Sequence, residues 1–178
     1  PLAAATNIDL GFDADHLITV RLDARQVGYD EGRVDAFYDE LLHRVRSWGD
    51  VASASIAFTT PMSYLAGGGT VHIEGQSPPS GTQPPATFLN HAGHGYFETM
   101  QIPIVHGRSF TTADRDGAMR TVIVNQAFAN RYWAGENPLG RRLRFQPDGR
   151  WLEVVGVART GKYRFLGEPP QPYLYLPL

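Results

Sequence analysis

Apolar side chains recur at intervals of three and four residues in the first third of the chain and predict one well-defined helix. They are Val34, Phe37, Tyr38, Leu41, Leu42, Val45 and Trp48. With 3.6 residues per turn, this spacing places them along one face of an α-helix. Asp30 precedes the run as an N-cap, and Gly49 follows it as a left-handed stop. We expect a helix over residues 31–48 that buries the centre of this face, at Phe37, Leu41 and Val45.

Two segments with strand character flank this helix. Residues 17–22 alternate apolar and polar side chains at their end and are rich in β-branched residues. Residues 51–58 follow the helix after a very short connection and are also predicted as a strand. The order predicts a strand, helix, strand unit, and it leaves open whether the two strands are neighbours in one sheet.

From Thr60 onward, proline and glycine divide the chain into short pieces that favour strands over helices. The breaks include Pro61, the glycines at 67–69 and several prolines between 78 and 85. A second helix is predicted from Asn125, which caps it, to Trp133. Short strands are predicted at residues 70–74, 86–90, 102–105, 121–124, 142–145, 151–158 and 173–176. The fold class indicated is α+β, with one or two lobes.

The composition is that of an ordinary globular protein and excludes several kinds of function. The 178 residues are 42% hydrophobic and 19% charged, and the net charge of −2 is mixed along the chain, so we expect no nucleic acid partner. The absence of cysteine excludes disulfides, thiolate catalysis and cysteine-ligated zinc. No apolar run approaches the roughly 20 residues that span a bilayer. The chain begins at Pro1 and not at a methionine, from which we expect a segment of a longer protein.

His91, His94 and Glu98 form the one pattern that resembles a metal site. If the three side chains converged, they would supply zinc ligands. Gly93 and Gly95 interrupt the segment, however, and the His-Glu-x-x-His spacing of a metalloprotease helix is missing. We therefore expect no metal, no cofactor and no catalytic residue.

Three further clusters have a structural interpretation that we prefer. The glycines at 67–69 lack the following Lys-Ser or Lys-Thr of a phosphate-binding loop and are interpreted as a turn. Arg141, Arg142 and Arg144 are interpreted as a solvated strand edge. A set of aromatic side chains is interpreted as core and not as a ligand groove. These are Tyr96, Phe97, Phe110, Phe128, Tyr132 and Trp133.

Several ordered segments resemble the MacB-like periplasmic core domain of ABC transporter permeases, in the FtsX and MacB superfamily. They are residues 10–13, 95–110, 122–133, 136–143, 151–157 and 168–177. The match from 95 to 110 is the longest and the most specific. Two departures stand out. Gln101 occupies a position where the family usually has glycine, and the family continues beyond position 178 into another strand, helix and strand.

The resemblance implies a bacterial inner-membrane permease of the large acidobacterial type, with this domain on the periplasmic side. Residues 1–15 would be a juxtamembrane segment. Residues 16–60 and 170–178 would form a membrane-proximal, porter-like α/β lobe that is truncated at its C-terminus, and residues 61–169 an inserted β-rich lobe. The implied partners are the transmembrane helices of the parent permease, a cytoplasmic ATPase that acts indirectly, and a periplasmic adaptor or second permease domain. The implied function is to transmit ATP-driven motion for export or for regulation of a partner, without enzymatic chemistry.

Two other functions stay open at this point. One is a periplasmic module that holds a peptide, lipid or small molecule between its lobes. The other, weaker alternative is a hydrolase centred on His91, His94 and Glu98. Transmembrane helices on both sides of this segment in the parent protein would favour the permease, and a lone secretion signal would favour the binding module.

Overall fold

The computed structural model describes residues 8–63, 67–77, 86–115 and 120–178, and this part of the chain contains four α-helices and eight strands. The helices are α1 (Glu31–Arg46), α2 (Tyr96–Thr99), α3 (Thr112–Arg115) and α4 (Gln126–Tyr132), and a short 3-10 helix at Ala24–Val27 precedes α1. The strands are β1 (Gly67–Thr70), β2 (His72–Ile73), β3 (Ala86–Ala92), β4 (Ile104–Gly107), β5 (Thr121–Asn125), β6 (Arg142–Arg144), β7 (Leu152–Ala158) and β8 (Tyr173–Pro177). The fold is mixed α/β and rich in sheet.

All eight strands belong to one sheet that curls back on itself. Its order is β1-β3-β8-β5-β7-β6-β2, and β4 pairs with the second half of β7. The pairs β3 with β8 and β5 with β7 are parallel, and the other pairs are antiparallel. The end strands β1 and β2 are separated in sequence only by Val71, so the chain itself joins the two ends of the sheet. This barrel-like closure protects the ends of the sheet from pairing with other strands.

The inner face of the curled sheet holds an aliphatic core covered by α4. Val122 and Val124 of β5 point into it, together with side chains from β2, β6, β7 and β8. The helix α4 adds Phe128 and Trp133, whose ring centroids lie 5.6 Å apart. Because residues of a strand alternate between faces, Ile123 points the other way, into a second and more aromatic core. The strand β5 is therefore buried on both faces, which is typical of a central strand.

The second core lies on the outer face and contains half of the aromatic set, Tyr96, Phe97 and Phe110. Tyr96, Phe97 and Met100 come from α2 and the residue that follows it, and Tyr173 and Tyr175 come from β8. The predicted core role of the aromatic set is confirmed, since all six members except Tyr132, which is half-buried, are buried. The strand predictions after residue 60 are likewise confirmed to within a few residues at each end, except that the predicted strand at 70–74 is split into β1 and β2.

Both predicted helices form, and both predicted N-caps are confirmed. The Asp30 side chain accepts a hydrogen bond from the Arg33 N–H, and Asn125 accepts one from the Phe128 N–H. The predicted left-handed stop at Gly49 is wrong. The helix α1 ends earlier, at Arg46. Its C-cap residue, Ser47, keeps a right-handed conformation and donates its N–H and hydroxyl to the Arg44 carbonyl.

The predicted strands at 17–22 and 51–58 are wrong for this structure. Residues 17–23 form neither helix nor strand, and residues 51–58 contribute a single bridge, between Ala57 and Ala92. A strand exists only where a partner satisfies its backbone groups, and along the described ranges no partner lies beside residues 17–22. The apolar pattern of residues 17–22 favours a strand, but the described residues include no neighbouring strand that could pair with it.

The burial predicted for α1 is also only partly correct. Phe37, Leu41 and Val45 are half-buried, and Trp48 remains 61% exposed. The helix packs mainly on the 3-10 helix that precedes it, so most of its apolar face has no second layer to cover it. The division into two lobes stays a prediction. In the structure, β8 lies inside the curled sheet between β3 and β5.

Candidate functional site

The three side chains of the zinc pattern lie on different elements. His91 is on β3 and meets the Phe58 ring edge-on, His94 is exposed in the loop that follows, and Glu98 is on α2. Within the described ranges, no three His, Asp or Glu side chains are close enough together to hold a metal ion. The structure therefore does not bring the three candidates together.

A buried carboxylate organises the loop between β4 and β5. The Asp114 side chain is fully buried and accepts five hydrogen bonds. Two come from the Arg108 guanidinium at 2.8 and 3.0 Å, two from the N–H and hydroxyl of Thr111, and one from the Thr121 hydroxyl at 2.9 Å. A carboxylate needs such partners when it is taken out of water. The cluster ties β4, α3 and β5 into one unit.

The electrostatics of this cluster follow from its hydrogen bonds. The Arg108 guanidinium and the donors from Thr111 and Thr121 hold the pKa of Asp114 well below its usual range, although burial acts in the opposite direction. The same ion pair raises the pKa of Arg108. Arg108 also borders an open groove of about 470 Å³ beside β4, but its charge is already satisfied by Asp114. The groove therefore lacks a free cation at this position.

A second buried polar cluster links α4 to β8. The side-chain oxygen of Asn125 accepts hydrogen bonds from the N–H groups of Phe128 and Tyr173. Its side-chain nitrogen donates to the Tyr163 hydroxyl and to the Gln171 carbonyl. The Tyr163 ring stacks on Tyr173 with centroids 3.9 Å apart. Every hydrogen-bonding role of the Asn125 amide oxygen and nitrogen is thus used for structure, and burial raises the pKa of Tyr163.

The loop from 159 to 172 is fixed at both ends. The Glu168 carboxylate is buried and accepts from the N–H groups of Tyr163 and Arg164, while the Lys162 ammonium donates to the Glu168 carbonyl. The start of the loop lies against the N-terminal segment, because the Lys162 N–H donates to the Leu10 carbonyl at 2.8 Å. Hydrogen bonds therefore hold the loop to the rest of the domain at several points along its length.

Residues 17–22, next to α1, form an uncovered apolar surface. Ile18, Val20 and Leu22 are 89%, 72% and 45% exposed. Tyr38 reaches back from α1 and donates to the Leu22 carbonyl, which places the two segments side by side. Water-exposed apolar surface of this extent is typical of an interaction face. The described helices include none that is long and apolar enough to cross a membrane.

A comparison of the whole sequence with protein families extends the resemblance beyond the separate segments noted above. The profile of the MacB-like periplasmic core domain matches residues 3–178. The chain belongs to this family. A comparison with curated proteins finds no match.

Two solved structures have a fold similar to that of this MacB-like domain. The periplasmic region of MacB from Actinobacillus actinomycetemcomitans has a TM-score of 0.53 and 18% identity, and the match covers 84% of this chain and 61% of that one. The extracellular domain of the noncanonic ABC-type transporter YknZ from Gram-positive bacteria has a TM-score of 0.50 and 18% identity, over 78% of this chain and 61% of that one. At this identity the likeness shows the fold alone. The MacB-like domain spans about three-fifths of the length of both solved structures.

Sequence reasoning found the elements of this MacB-like domain but not the two buried carboxylates among its described residues. Glu168 lies in a segment that resembles the family and Asp114 lies between two such segments, yet no pattern around them assigns a role. Their partners are backbone N–H groups and side chains whose proximity depends on loop geometry. The one signal in the sequence was that each of these acidic residues occurs in or between segments that resemble the family.

Proposed function

We propose that this chain is the periplasmic part of a bacterial inner-membrane ABC permease and that it passes ATP-driven conformational change across the membrane, for export or for regulation of a partner. One observation carries the proposal: the described chain combines a closed sheet with an uncovered apolar surface on residues 17–22 and α1. A lever needs a body that does not deform and an interface that changes. The family membership supports the location, and the mechanism is the proposal.

The proposal divides the chain into two lobes, and β8 of the first is a strand of the closed sheet. Residues 16–60, with 170–178, belong to a membrane-proximal, porter-like lobe, and residues 61–169 form the β-rich insertion. Residues 1–15 lead to the membrane. The exposed side chains Ile18, Val20 and Trp48 belong to the membrane-proximal lobe in this proposal.

ATP is bound by a separate cytoplasmic subunit or domain in this account. ATP binding favours one arrangement of the periplasmic domains, and the domain influences that balance only through contacts that differ between the arrangements. The transmembrane helices of the parent permease are the direct partners, and a periplasmic adaptor or a second permease domain is the outer partner. The domain itself performs no chemistry.

The test is to restrain the motion in the parent permease. Cysteines are introduced in pairs on the exposed side of α1, at Asp35 and His43 of neighbouring domains, and oxidised. The native chain has no cysteine in this domain, so each crosslink has one origin. We expect oxidation to stop transport and its coupled ATPase stimulation, and reduction to restore both.

A matched control places cysteine at Asn130, which is exposed on α4 of the closed sheet. Labelling it should leave transport unchanged. If the α1 crosslinks form in high yield and transport and ATPase stimulation stay at the reduced level, relative motion of the domains has no role. A static ligand-binding function would then be the better account.

A further inference from the structure

Two apolar side chains stand at the tip of the fixed loop from 159 to 172. Phe165 is 55% exposed and Leu166 is 38% exposed, and they occupy a turn closed by the Glu168 N–H, which donates to the Phe165 carbonyl. Exposed apolar residues are common on loops, but a mobile loop can fold them inward. This loop cannot do so easily, because the buried Glu168 carboxylate holds the backbone N–H groups of Tyr163 and Arg164.

The base of the loop is attached to the start of the domain. The Lys162 N–H bonds to the Leu10 carbonyl, and Arg159 forms an ion pair with Asp9. The backbones of Gly11 and Gly161 are in direct contact, so close that a Cβ on Gly11 would lie 2.4 Å from the Gly161 Cα. Gly11 also has a φ of +80°, which favours glycine. The base of the loop is therefore held directly against residues 9–11.

The apolar tip is flanked by positive charge. Lys162 and Arg164 lie on its N-terminal side, and Arg164 rests over the Phe88 ring, 5.2 Å from its centroid. Along the described residues Arg164 forms no ion pair with a carboxylate, and the nearest acidic side chain of the loop, Glu168, points inward and is buried. An apolar tip with basic flanks is complementary to the boundary between lipid phosphates and acyl chains.

We propose that the tip of this loop, Phe165 and Leu166, enters the headgroup region of the bilayer from which residues 1–15 emerge. The inference rests on the proposed function, which places residues 1–15 next to the membrane. The exposed Arg164 binds a lipid phosphate at the same depth. One weak apolar contact does not anchor a protein alone, but a domain that is already attached to the membrane needs only a second weak contact to fix its tilt.

The test attaches the chain to vesicles through its N-terminus. A histidine tag before Pro1 binds nickel-chelating lipid in vesicles of phosphatidylcholine and phosphatidylglycerol, some of which carry a nitroxide on the acyl chain. A single cysteine at Leu166 is labelled with a fluorophore that is sensitive to polarity. The matched control carries the same label at Phe58, which is 62% exposed and lies beside His91 on a different part of the surface.

We expect the label at 166 to shift to shorter wavelength and to be quenched at least three-fold more strongly than the label at 58. Phe165→Asp in the Leu166→Cys protein should abolish most of this quenching, and vesicles without phosphatidylglycerol should reduce it. Circular dichroism verifies that each variant keeps its fold. Equal quenching at both positions, or no quenching at 166, overturns the proposal. If that happens while the α1 crosslinks still stop transport, the lever function stands without a membrane contact at this loop.

Discussion

Removing the Asp114 carboxylate is the substitution whose effect the structure defines best. In Asp114→Ala, the buried hydroxyl of Thr121 and the N–H of the exposed Thr111 lose their acceptor, and Arg108 loses its ion-pair partner. The Arg108 side chain is 39% exposed, so it regains part of its hydration. The Thr121 side chain does not, since the residue is 3% exposed.

The magnitude follows from these contacts. Each buried donor left without a partner costs about 1–3 kcal/mol, and breaking a buried ion pair costs about 3–5 kcal/mol in total. Because Arg108 is partly hydrated, we expect about 3 kcal/mol for Asp114→Ala and about 2 kcal/mol for Asp114→Asn, which keeps the size and two hydrogen bonds. Such a loss is a large part of the roughly 5–15 kcal/mol that stabilises a domain.

Urea denaturation at neutral pH measures both losses, and Asp39→Asn is the matched control. Asp39 also pairs with an arginine, Arg115, but both side chains are about half exposed, so its loss should cost less than about 1 kcal/mol. If Asp114→Asn and Asp39→Asn changed the unfolding free energy equally, the buried cluster would not have the structural role assigned to it.

Acidification provides a second test of the same carboxylate. The pKa of Asp114 is lowered in the folded state, mainly by Arg108, so the unfolded state takes up its proton first as the pH falls. The stabilisation is present above about pH 4, the ordinary range of aspartate, and is lost below it. The difference between wild type and Asp114→Asn should therefore shrink from pH 5 downward. A difference that stays constant to pH 2 would contradict the lowered pKa.

Three further predictions concern single positions. Gln101 has a φ of +52°, so Gln101→Gly should raise the unfolding free energy by about 0.5–1 kcal/mol whereas Gln101→Ala should not, and equal stability of the two variants would argue against backbone strain. Leu143→Ala should cost about 2–5 kcal/mol, because Leu143 is fully buried, and Leu41→Ala on the half-buried α1 should cost less than half of that; equal costs would mean that α1 is covered in solution. Elemental analysis of protein purified without chelator should find no stoichiometric zinc, and one metal per chain that is lost in His94→Ala would refute this.

Local patterns predicted the elements of this fold that depend on neighbouring residues. The caps at Asp30 and Asn125, the periodic face of α1 and the strands β5 and β7 all rest on side chains within a few positions. These signals are strong because a helix or a buried strand repeats its environment along the sequence. The predicted helix stop at Gly49 was wrong because Ser47, two residues earlier, makes a competing local hydrogen bond.

The features that sequence reasoning missed depend on distant partners. Residues 17–22 have the composition of a strand but find no partner in the described chain, and the closing of the sheet at Val71 depends on pairings with β3 and β6. The clusters around Asp114 and Glu168 require loops to bring donors to one carboxylate. The resemblance supplied the family, and the structure supplied the reason for one of its details. Gln101 has a left-handed conformation at a position where the family usually has glycine.

The most direct measurement of the central claim is a distance between two such domains in the assembled parent permease. A spin label at His43, exposed on α1, reports the separation of neighbouring membrane-proximal lobes by pulsed electron resonance, with and without ATP. A label at Asn130 within the same chain, paired with the one at His43, reports whether the domain itself deforms. The account predicts that the distance between lobes changes on ATP binding while the distance within each domain stays constant. An unchanged distance between lobes during active ATP hydrolysis would contradict the account.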